Sequence, residues 1–226
     1  MALDTSTWWG GVALVEHSDG DATPQVVSEI GLRASESHAG RLLSLFDLLL
    51  SSADWPKSSV DAYAATRGPG SFTGLRVGLG TIRGLSLASG RPCFGVGTLD
   101  ALADAFGPAH ADRIPLLDAG RDEVYGARFD PCQAPPRART AAWLGPPEMA
   151  LEGGMPAVIF GSGAELHRER LRAAGWVGVV PRAPTSVAAA VGRLAAVLLA
   201  AGAPSGDGMS PLYLRPPDAE AHRRKT

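Results

Sequence analysis

Two aspartates stand where strands are expected to end in polar turns, and a glycine-rich turn precedes a helix. Asp4 and Asp118 each open such a turn, and residues 68–70 (Gly-Pro-Gly) lead into a helical pattern at 72–88. Carboxylates that hold Mg²⁺ around nucleotide phosphates, and helix N-termini that bind anions, are the parts of a phosphate-handling enzyme. One interpretation is therefore an ATP-binding carbamoyl- or phosphoryl-transfer enzyme. The other is that both aspartates cap turns.

The glycine-rich stretch lacks the spacing of either common phosphate-binding motif. A loop of the G-x-x-x-x-G-K-[ST] type needs a lysine, but the chain has lysine only at Lys57 and Lys225. The dinucleotide fingerprint is G-x-G-x-x-G, whereas Gly68, Gly70 and Gly74 are spaced one residue too widely. We therefore expect this stretch to serve a purpose other than cradling a phosphate.

The helix expected at 72–88 carries four interior glycines. They form two pairs whose members, four residues apart, share a helix face: Gly74 with Gly78, and Gly80 with Gly84. Each interior glycine costs a helix about 0.5–1 kcal/mol relative to alanine. Close approach of another backbone offsets such a cost, so these glycines indicate helix packing.

Two helices carry more apolar surface than contact with a single sheet uses. One is expected at 36–52 and the other at 72–88. Their apolar positions are Leu42, Leu45, Phe46 and Leu49 on the first, and Phe72, Leu75, Leu79 and Ile82 on the second. Either these faces pack inside the chain's own core or they bind a partner subunit. We expect the eight side chains to form a helical interface with a partner.

Composition and charge exclude several function classes. The 226 residues carry a net charge of −2, with 45% hydrophobic and 19% charged residues, as in ordinary globular proteins. The balance argues against a strongly basic nucleic-acid-binding face, and the scattered arginines predict at most a secondary contact with RNA. Cys93 and Cys132 form no CxxC pair. No two of the five histidines are close in sequence, so a helical zinc-protease motif is absent. We expect no metal, cofactor or catalytic residue.

The order of the expected elements indicates an α/β protein with two lobes. Strands alternate with helices in the first half, which is typical of a partly parallel sheet. We expect a larger lobe at 1–108, which carries the two apolar helices, and a smaller α/β lobe at 109–226 with an extended tail. A strand is expected at 177–180, and 130–147 is expected to be a loop without an assignable role. The start lacks a secretory pattern and no stretch is apolar enough to span a membrane, so we expect a cytoplasmic protein.

Five segments, in order along the chain, resemble the TsaB family. They are 37–43 (SHAGRLL), 67–78 (RGPGSFTGLRVG), 95–102 (GVGTLDAL), 117–125 (LDAGRDEVY) and 211–215 (PLYLR). The GPGSFTGLR part of the second segment is the most specific. The polar turn that begins at Asp4 also resembles the first phosphate loop of the actin-like ATPase superfamily, so the resemblance runs from residue 4 to residue 215.

This resemblance implies a two-lobed actin-like ATPase (ribonuclease H-like) fold with a degenerate nucleotide cleft. The positions carried over to the cleft are Asp4, Thr5, Ser6 and Asp118. Tryptophans at 8 and 9 replace the small polar residues that would let a phosphate approach the first turn. The chain begins very close to this turn, so either the first strand is very short or the natural start lies upstream.

The resemblance also implies a function with a division of labour. The TsaB-family subunit is a non-catalytic scaffold in the bacterial machinery that forms threonylcarbamoyladenosine next to the anticodon of tRNAs reading codons that begin with A. It pairs with TsaD, which carries the metal and transfers the threonylcarbamoyl group; TsaE, an ATPase, joins the pair, and tRNA is reached through the complex. By position, the docking helices are 36–52 and 72–88. Without TsaD, exposed apolar helices are expected to form a homodimer. An active ATP-binding transfer enzyme of the actin-like superfamily stays open as the alternative.

Overall fold

The computed structural model describes residues 1–18, 23–33, 39–154 and 156–215 of the chain, which form two sheets. The larger sheet has the spatial order β3-β2-β1-β4-β5, and the smaller has the order β8-β7-β6-β9. The strands are β1 (Ala2–Asp4), β2 (Trp9–Glu16), β3 (Gln25–Arg33), β4 (Tyr63–Gly68), β5 (Cys93–Gly97), β6 (Asp112–Gly120), β7 (Glu123–Gly126), β8 (Trp143–Gly145) and β9 (Ala157–Phe160). The helices are α1 (Ala39–Ser52), α2 (Phe72–Ser89), α3 (Thr98–Phe106), α4 (Ser162–Leu166), α5 (Arg168–Ala173) and α6 (Ala188–Ala200).

The larger sheet is mixed, as the alternation of strands and helices predicted. β2 pairs antiparallel with both β1 and β3, whereas β4 pairs parallel with both β1 and β5. β1 has three residues, Ala2–Asp4. Because β1 lies at the centre of the sheet, the polar turn that follows it sits beside the start of α2. The α/β class is confirmed.

Alternate residues of the central strands face two different cores. Leu3 of β1 and Ala65 of β4 contact the face covered by α1 and α2. Ala2 and Ala64, their sequence neighbours, contact the opposite face, where α3 and α6 pack. This alternation follows from the two-residue period of a strand. The larger sheet is thus covered by helices on both faces.

The last helix and the tail return to the larger sheet. The carboxylate of Glu29 on β3 holds the start of α6, accepting hydrogen bonds from the hydroxyl of Ser186 (2.8 Å) and the amide of Ala189 (3.1 Å). In the tail, the amide of Gly95 donates to the carbonyl oxygen of Asp207 (2.8 Å). Residues 188–213, expected in the smaller lobe, thus contact the larger one, whereas Arg215 donates to the carbonyl oxygen of Ala119 and to the carboxylate of Glu123 in the smaller one.

A buried arginine connects the lobes. Arg113 on β6 is 2% exposed, and its guanidinium donates to four main-chain carbonyl oxygens. Two acceptors, Ala103 and Gly107 (both 2.9 Å), lie at the end of α3, and two, Asp130 (2.8 Å) and Gln133 (2.9 Å), lie in the segment expected to be a loop. Part of that segment is therefore anchored to the core, and residues 143–145 within it form strand β8, which pairs with β7, and not a loop.

Two further expectations about secondary structure, the strand at 177–180 and the start of the first helix, are not confirmed. The strand expected at 177–180 is not formed: within the described ranges β9 pairs only with β6, and Val177 and Val179 are exposed to solvent. The expected start of the first helix, at residue 36, lies outside the described residues, as does His38. None of the described helices is both long and apolar enough to cross a membrane.

Candidate functional site

The glycine-rich turn at 68–70 packs directly against the polar turn that follows β1. Ser71 caps α2, because its Oγ accepts a hydrogen bond from the amide of Gly74 (3.2 Å). The amide of Ser71 donates to the carbonyl oxygen of Ser6 (2.7 Å). A Cβ added at Gly70 would lie 2.3 Å from the same oxygen, so only glycine fits there. The end of α2 where an anion would bind is therefore occupied by the main chain of Ser6.

The carboxylate of Asp4 is buried and accepts hydrogen bonds from Ser6 and Thr66. Its Oδ1 accepts from the amide (2.9 Å) and hydroxyl (2.6 Å) of Ser6 and from the hydroxyl of Thr66 (2.9 Å). Burial raises the pKa of Asp4 above its ordinary value, and these hydrogen bonds oppose that shift. All three hydrogen bonds end on Oδ1, so this oxygen of Asp4 serves the chain's own turn, as in a capped turn.

Asp118 stands apart from this arrangement. Its side chain is exposed, and its Oδ1 accepts a hydrogen bond from the amide of Gly120 (2.8 Å), as in a capped turn. Asp4, Trp8 and Trp9 line a cleft of about 260 Å³ between the sheets, but Asp118 does not. Asp4, Thr5 and Ser6 thus share one turn, but of the four expected cleft residues only Asp4 lines this cavity. In the part of the chain that the structure describes, no three His, Cys, Asp or Glu side chains are placed to hold a metal ion.

The four glycines of α2 divide into a packed pair and a bare pair. A Cβ at Gly74 would lie 1.9 Å from the carbonyl oxygen of Thr5, and one at Gly78 would lie 2.3 Å from the Oγ1 of Thr5. The Thr5 hydroxyl also donates to the carbonyl oxygen of Gly74 (2.7 Å). At Gly80 and Gly84, nothing lies within 4 Å of the added Cβ. The first pair therefore packs inside the chain and the second faces solvent.

Most of the apolar side chains expected at a partner interface lie in the chain's own core. Leu45 is partly buried and Phe72 is 37% exposed. The other six are buried: Leu42, Phe46, Leu49, Leu75, Leu79 and Ile82. They face the larger sheet, so a partner cannot reach them without unfolding the helices. The structure therefore corrects the assignment of these six side chains to an interface.

Other residues of the same two helices are exposed, and we call them the α1–α2 face. Three of them are leucines, at 51%, 53% and 88% exposure: Leu43, Leu48 and Leu87. Phe72, Arg76, Gly80 and Gly84 complete the face; spaced four apart, they run along one side of α2. Sequence reasoning missed most of this set because helical periodicity shows that stripes exist but not which stripe meets the sheet.

The tail contributes to this face at the start of α2. The ring of Tyr213 lies against that of Phe72, with 4.9 Å between centroids. The guanidinium of Arg76 lies 4.1 Å from the centroid of the Phe72 ring, and its Nε donates to the hydroxyl of Tyr213 (3.4 Å). One turn beyond Gly80, Arg83 donates from Nη2 to the carbonyl oxygen of Met209 (3.1 Å). Two arginines of α2 are thus held by the tail.

Comparison with known proteins finds relatives named TsaB and a match to the TsaD family. The family described as "TsaD: tRNA N6-adenosine threonylcarbamoyltransferase" matches residues 30–135. The tRNA threonylcarbamoyladenosine biosynthesis protein TsaB of Haemophilus influenzae is 37% identical over 127 residues, 55% of this chain and 51% of that protein. TsaB of Escherichia coli is 35% identical over 131 residues, 57% of this chain and 54% of that protein. The chain therefore spans about half the length of these curated relatives.

A solved structure extends the likeness to nearly the whole chain. YeaZ from Pseudomonas aeruginosa superimposes with a TM-score of 0.77 and 31% identity, covering 94% of this chain and 98% of that one. The chain belongs to the TsaB (YeaZ) family. The two-lobed ribonuclease H-like, actin-like fold expected for a TsaB-family member is thereby confirmed. The match to the TsaD family includes both helices that carry the α1–α2 face.

Proposed function

We propose that this TsaB-family chain is a non-catalytic subunit of the machinery that forms threonylcarbamoyladenosine on tRNA. It acts by binding a TsaD-family transferase through the α1–α2 face. The observation that carries this proposal is the bare side of α2, where Gly80, Gly84 and the exposed Leu87 lie on one helix of 18 residues. The names of the curated TsaB relatives support the pathway.

The bare glycines have a cost that no contact within the described residues offsets. Each lowers the stability of α2 by about 0.5–1 kcal/mol relative to alanine. A partner helix that packs closely against Gly80 and Gly84 offsets this cost in the complex. Covering an exposed leucine contributes up to about 1.5–3 kcal/mol more, and Leu43, Leu48 and Leu87 supply three such side chains.

The first turn supports a role without catalysis in this subunit. The Oδ1 of Asp4 accepts from Ser6 and Thr66, and the main chain of Ser6 occupies the start of α2. These are the positions at which an actin-like ATPase would bring metal and phosphate. In this proposal the TsaD-family subunit performs the transfer in the cytoplasm, TsaE joins the pair, and tRNA binds to the assembled complex.

The same exposed leucines favour self-association when the transferase is absent. Monomeric proteins rarely leave a large apolar patch uncovered. We therefore propose that the isolated chain forms a homodimer through the α1–α2 face, which the transferase displaces.

An omission assay tests the proposed function. Modification of tRNA is reconstituted with the TsaD-family transferase, TsaE and the enzyme that supplies the threonylcarbamoyl group as an adenylate, all of the same organism, with and without this chain. We expect threonylcarbamoyladenosine to form only when the chain is present. Full product in its absence would overturn the scaffold role. A complex of the chain with the transferase, measured by calorimetry, tests the binding step separately.

A further inference from the structure

The exposed side of α2 is positively charged. The helix contains Arg76 and Arg83 but no aspartate or glutamate. The two arginines are seven residues apart, so they lie on one side of the helix, about 10 Å apart along its axis. Both are exposed, and neither has an ion pair with a described residue. Gly80 lies between them, so the bare glycine surface is flanked by two cations.

The tail supplies one hydrogen-bond acceptor to each guanidinium group. Arg76 stacks on Phe72 and uses one N–H to reach Tyr213, and Arg83 uses one N–H to reach the carbonyl of Met209. Met209 is itself buried in the core of the larger lobe. The remaining N–H groups of the two arginines have no acceptor among the described residues. Donors that are already ordered lose less side-chain entropy when a carboxylate binds them.

The rest of the face does not neutralise this charge. On α1, Arg41 is exposed, and Asp47 pairs with Lys57 (2.8 Å). In the tail, the carboxylate of Asp207 is exposed and makes no ion pair with Arg76 or Arg83, whose hydrogen-bond partners among the described residues are Tyr213 and Met209. Packing α2 against α2 of a second copy would bring four arginines together without a carboxylate from either helix. Like charges facing each other across an interface disfavour that pairing.

We propose that the α1–α2 face selects its partner by charge: it binds a helix that carries two carboxylates about two turns apart, one for each arginine. This inference rests on the proposed function, because it assigns that acidic helix to the TsaD-family transferase. It also makes the homodimer the weaker of the two assemblies. Gly80, Gly84 and three exposed leucines suit a protein helix better than an RNA backbone, so the arginines bind carboxylates and not phosphates.

A double charge reversal tests the proposal. The variant Arg76→Glu with Arg83→Glu is compared with Arg168→Glu with Arg172→Glu, which changes the net charge equally on α5 of the smaller lobe. Affinity for the TsaD-family protein of the same organism is measured by calorimetry at low and high salt. We expect the α2 variant to bind about 10–100-fold more weakly, and the α5 control to bind like the wild type. The wild-type affinity falls with added salt more steeply than that of the α2 variant.

Further measurements separate the outcomes. Sedimentation is expected to show that the α2 reversal does not weaken self-association. Tyr213→Phe, which removes one hydrogen bond to Arg76, weakens binding by a smaller factor. If the double reversal does not fold, Arg76→Gln with Arg83→Gln takes its place. The proposal is overturned if the α2 variant binds the transferase like the wild type, if the α5 control loses as much, or if the α2 arginines prove to bind tRNA and not the transferase. A wild-type chain that binds no transferase would overturn the proposed function itself, whatever the variants do.

Discussion

The carbonyl oxygen of Thr5 lies 1.9 Å from the position that a methyl group at Gly74 would take. The hydroxyl of the same threonine donates to the carbonyl of Gly74 at 2.7 Å, so the two residues are joined twice. This contact locks the turn after β1 against the first turns of α2. A turn that meets a helix backbone so closely leaves no room for a phosphate between them.

Replacing one glycine of each pair separates their two roles. Gly74→Ala forces the new methyl against the Thr5 carbonyl, which is backbone and cannot rotate away, so we expect a loss of about 1–3 kcal/mol in the free energy of unfolding. Gly80→Ala meets nothing and raises helix propensity, so we expect a gain of up to about 1 kcal/mol. Urea unfolding of both variants measures the difference.

The same two variants distinguish folding from partner binding. Gly80→Ala is expected to weaken binding of the TsaD-family partner although it stabilises the free chain. Gly84→Ala, one turn further on, serves as a second variant of the bare pair. If Gly74→Ala and Gly80→Ala shift the unfolding free energy in the same direction, the division into a packed and a bare pair is wrong.

Two leucines eight residues apart on α2 are expected to respond in opposite ways to arginine. Leu79 is 3% exposed, so Leu79→Arg buries a charge without a partner and prevents folding at a cost of several kcal/mol. Leu87 is 88% exposed, so Leu87→Arg leaves the melting temperature within about 2 °C of the wild type. We expect Leu87→Arg to weaken the complex with the transferase, as measured by calorimetry.

A matched control is available on the smaller lobe. Leu166 on α4 is 63% exposed, and Leu166→Arg introduces the same charge at a comparable surface position. It is expected to leave both folding and transferase binding unchanged. Equal loss of binding with Leu87→Arg and Leu166→Arg would point to a general charge effect and remove the support for the α1–α2 face.

The sequence predicted the right helices, but six of the eight apolar side chains assigned to the interface lie on their buried sides. Periodicity identified 72–88 as a helix, because apolar residues and glycines recur there at helical spacing, and Ser71 as its cap. Choosing between the stripe with Leu79 and the stripe with Leu87 requires knowing which one meets the sheet. That depends on strand order, because β1 and β4 bring Leu3 and Ala65 under α2. Local spacing carries no information about this non-local pairing.

The residues of the cleft could be predicted from the sequence only where they are neighbours along the chain. Asp4 and Thr5 are consecutive residues, so they lie close together whatever the conformation of the turn. Asp118 was grouped with them by its position at the end of a strand, but its turn points its carboxylate to Gly120 and outside the cavity. The connection between the lobes was not foreseen, because nothing in the spacing of Arg113 indicates that four distant carbonyl oxygens converge on it.

Arg113 is expected to tolerate no substitution, including lysine. Its planar guanidinium donates to carbonyl oxygens of both lobes. A lysine ammonium has fewer N–H donors, and they do not spread in a plane to reach acceptors in both directions. Arg113→Lys therefore leaves buried carbonyl groups unpaired, and we expect a loss of about 2–4 kcal/mol in the free energy of unfolding. Arg128→Lys is a suitable comparison, since Arg128 is also buried but bonds within the smaller lobe. Chemical denaturation followed by a signal from each lobe tests whether Arg113→Lys alone uncouples their transitions.

Substitutions of Asp4 distinguish a non-catalytic scaffold from an active ATPase. Asp4→Asn keeps an oxygen acceptor for Ser6 and Thr66 and removes the cost of ionising a buried group, so we expect stability at pH 7 equal to or above that of the wild type. Asp4→Ala leaves three donors without an acceptor and is expected to lose about 2–3 kcal/mol. If Asp4 held a metal, Asp4→Asn would abolish tRNA modification in the reconstituted assay. We expect Asp4→Asn to retain it.

The pH dependence of the Asp4→Asn comparison follows from the direction of the pKa shift. Burial raises the pKa of Asp4 above 3.8, so between that value and the folded pKa the native state holds a proton that the unfolded state releases. Wild-type stability therefore falls, relative to Asp4→Asn, as pH rises through this window, and the difference becomes constant above it. Urea unfolding of both proteins from pH 3 upward measures this trend. A wild-type stability that rises relative to Asp4→Asn over the same window would mean that the hydrogen bonds from Ser6 and Thr66 outweigh burial, and that Asp4 is ionised in the folded chain.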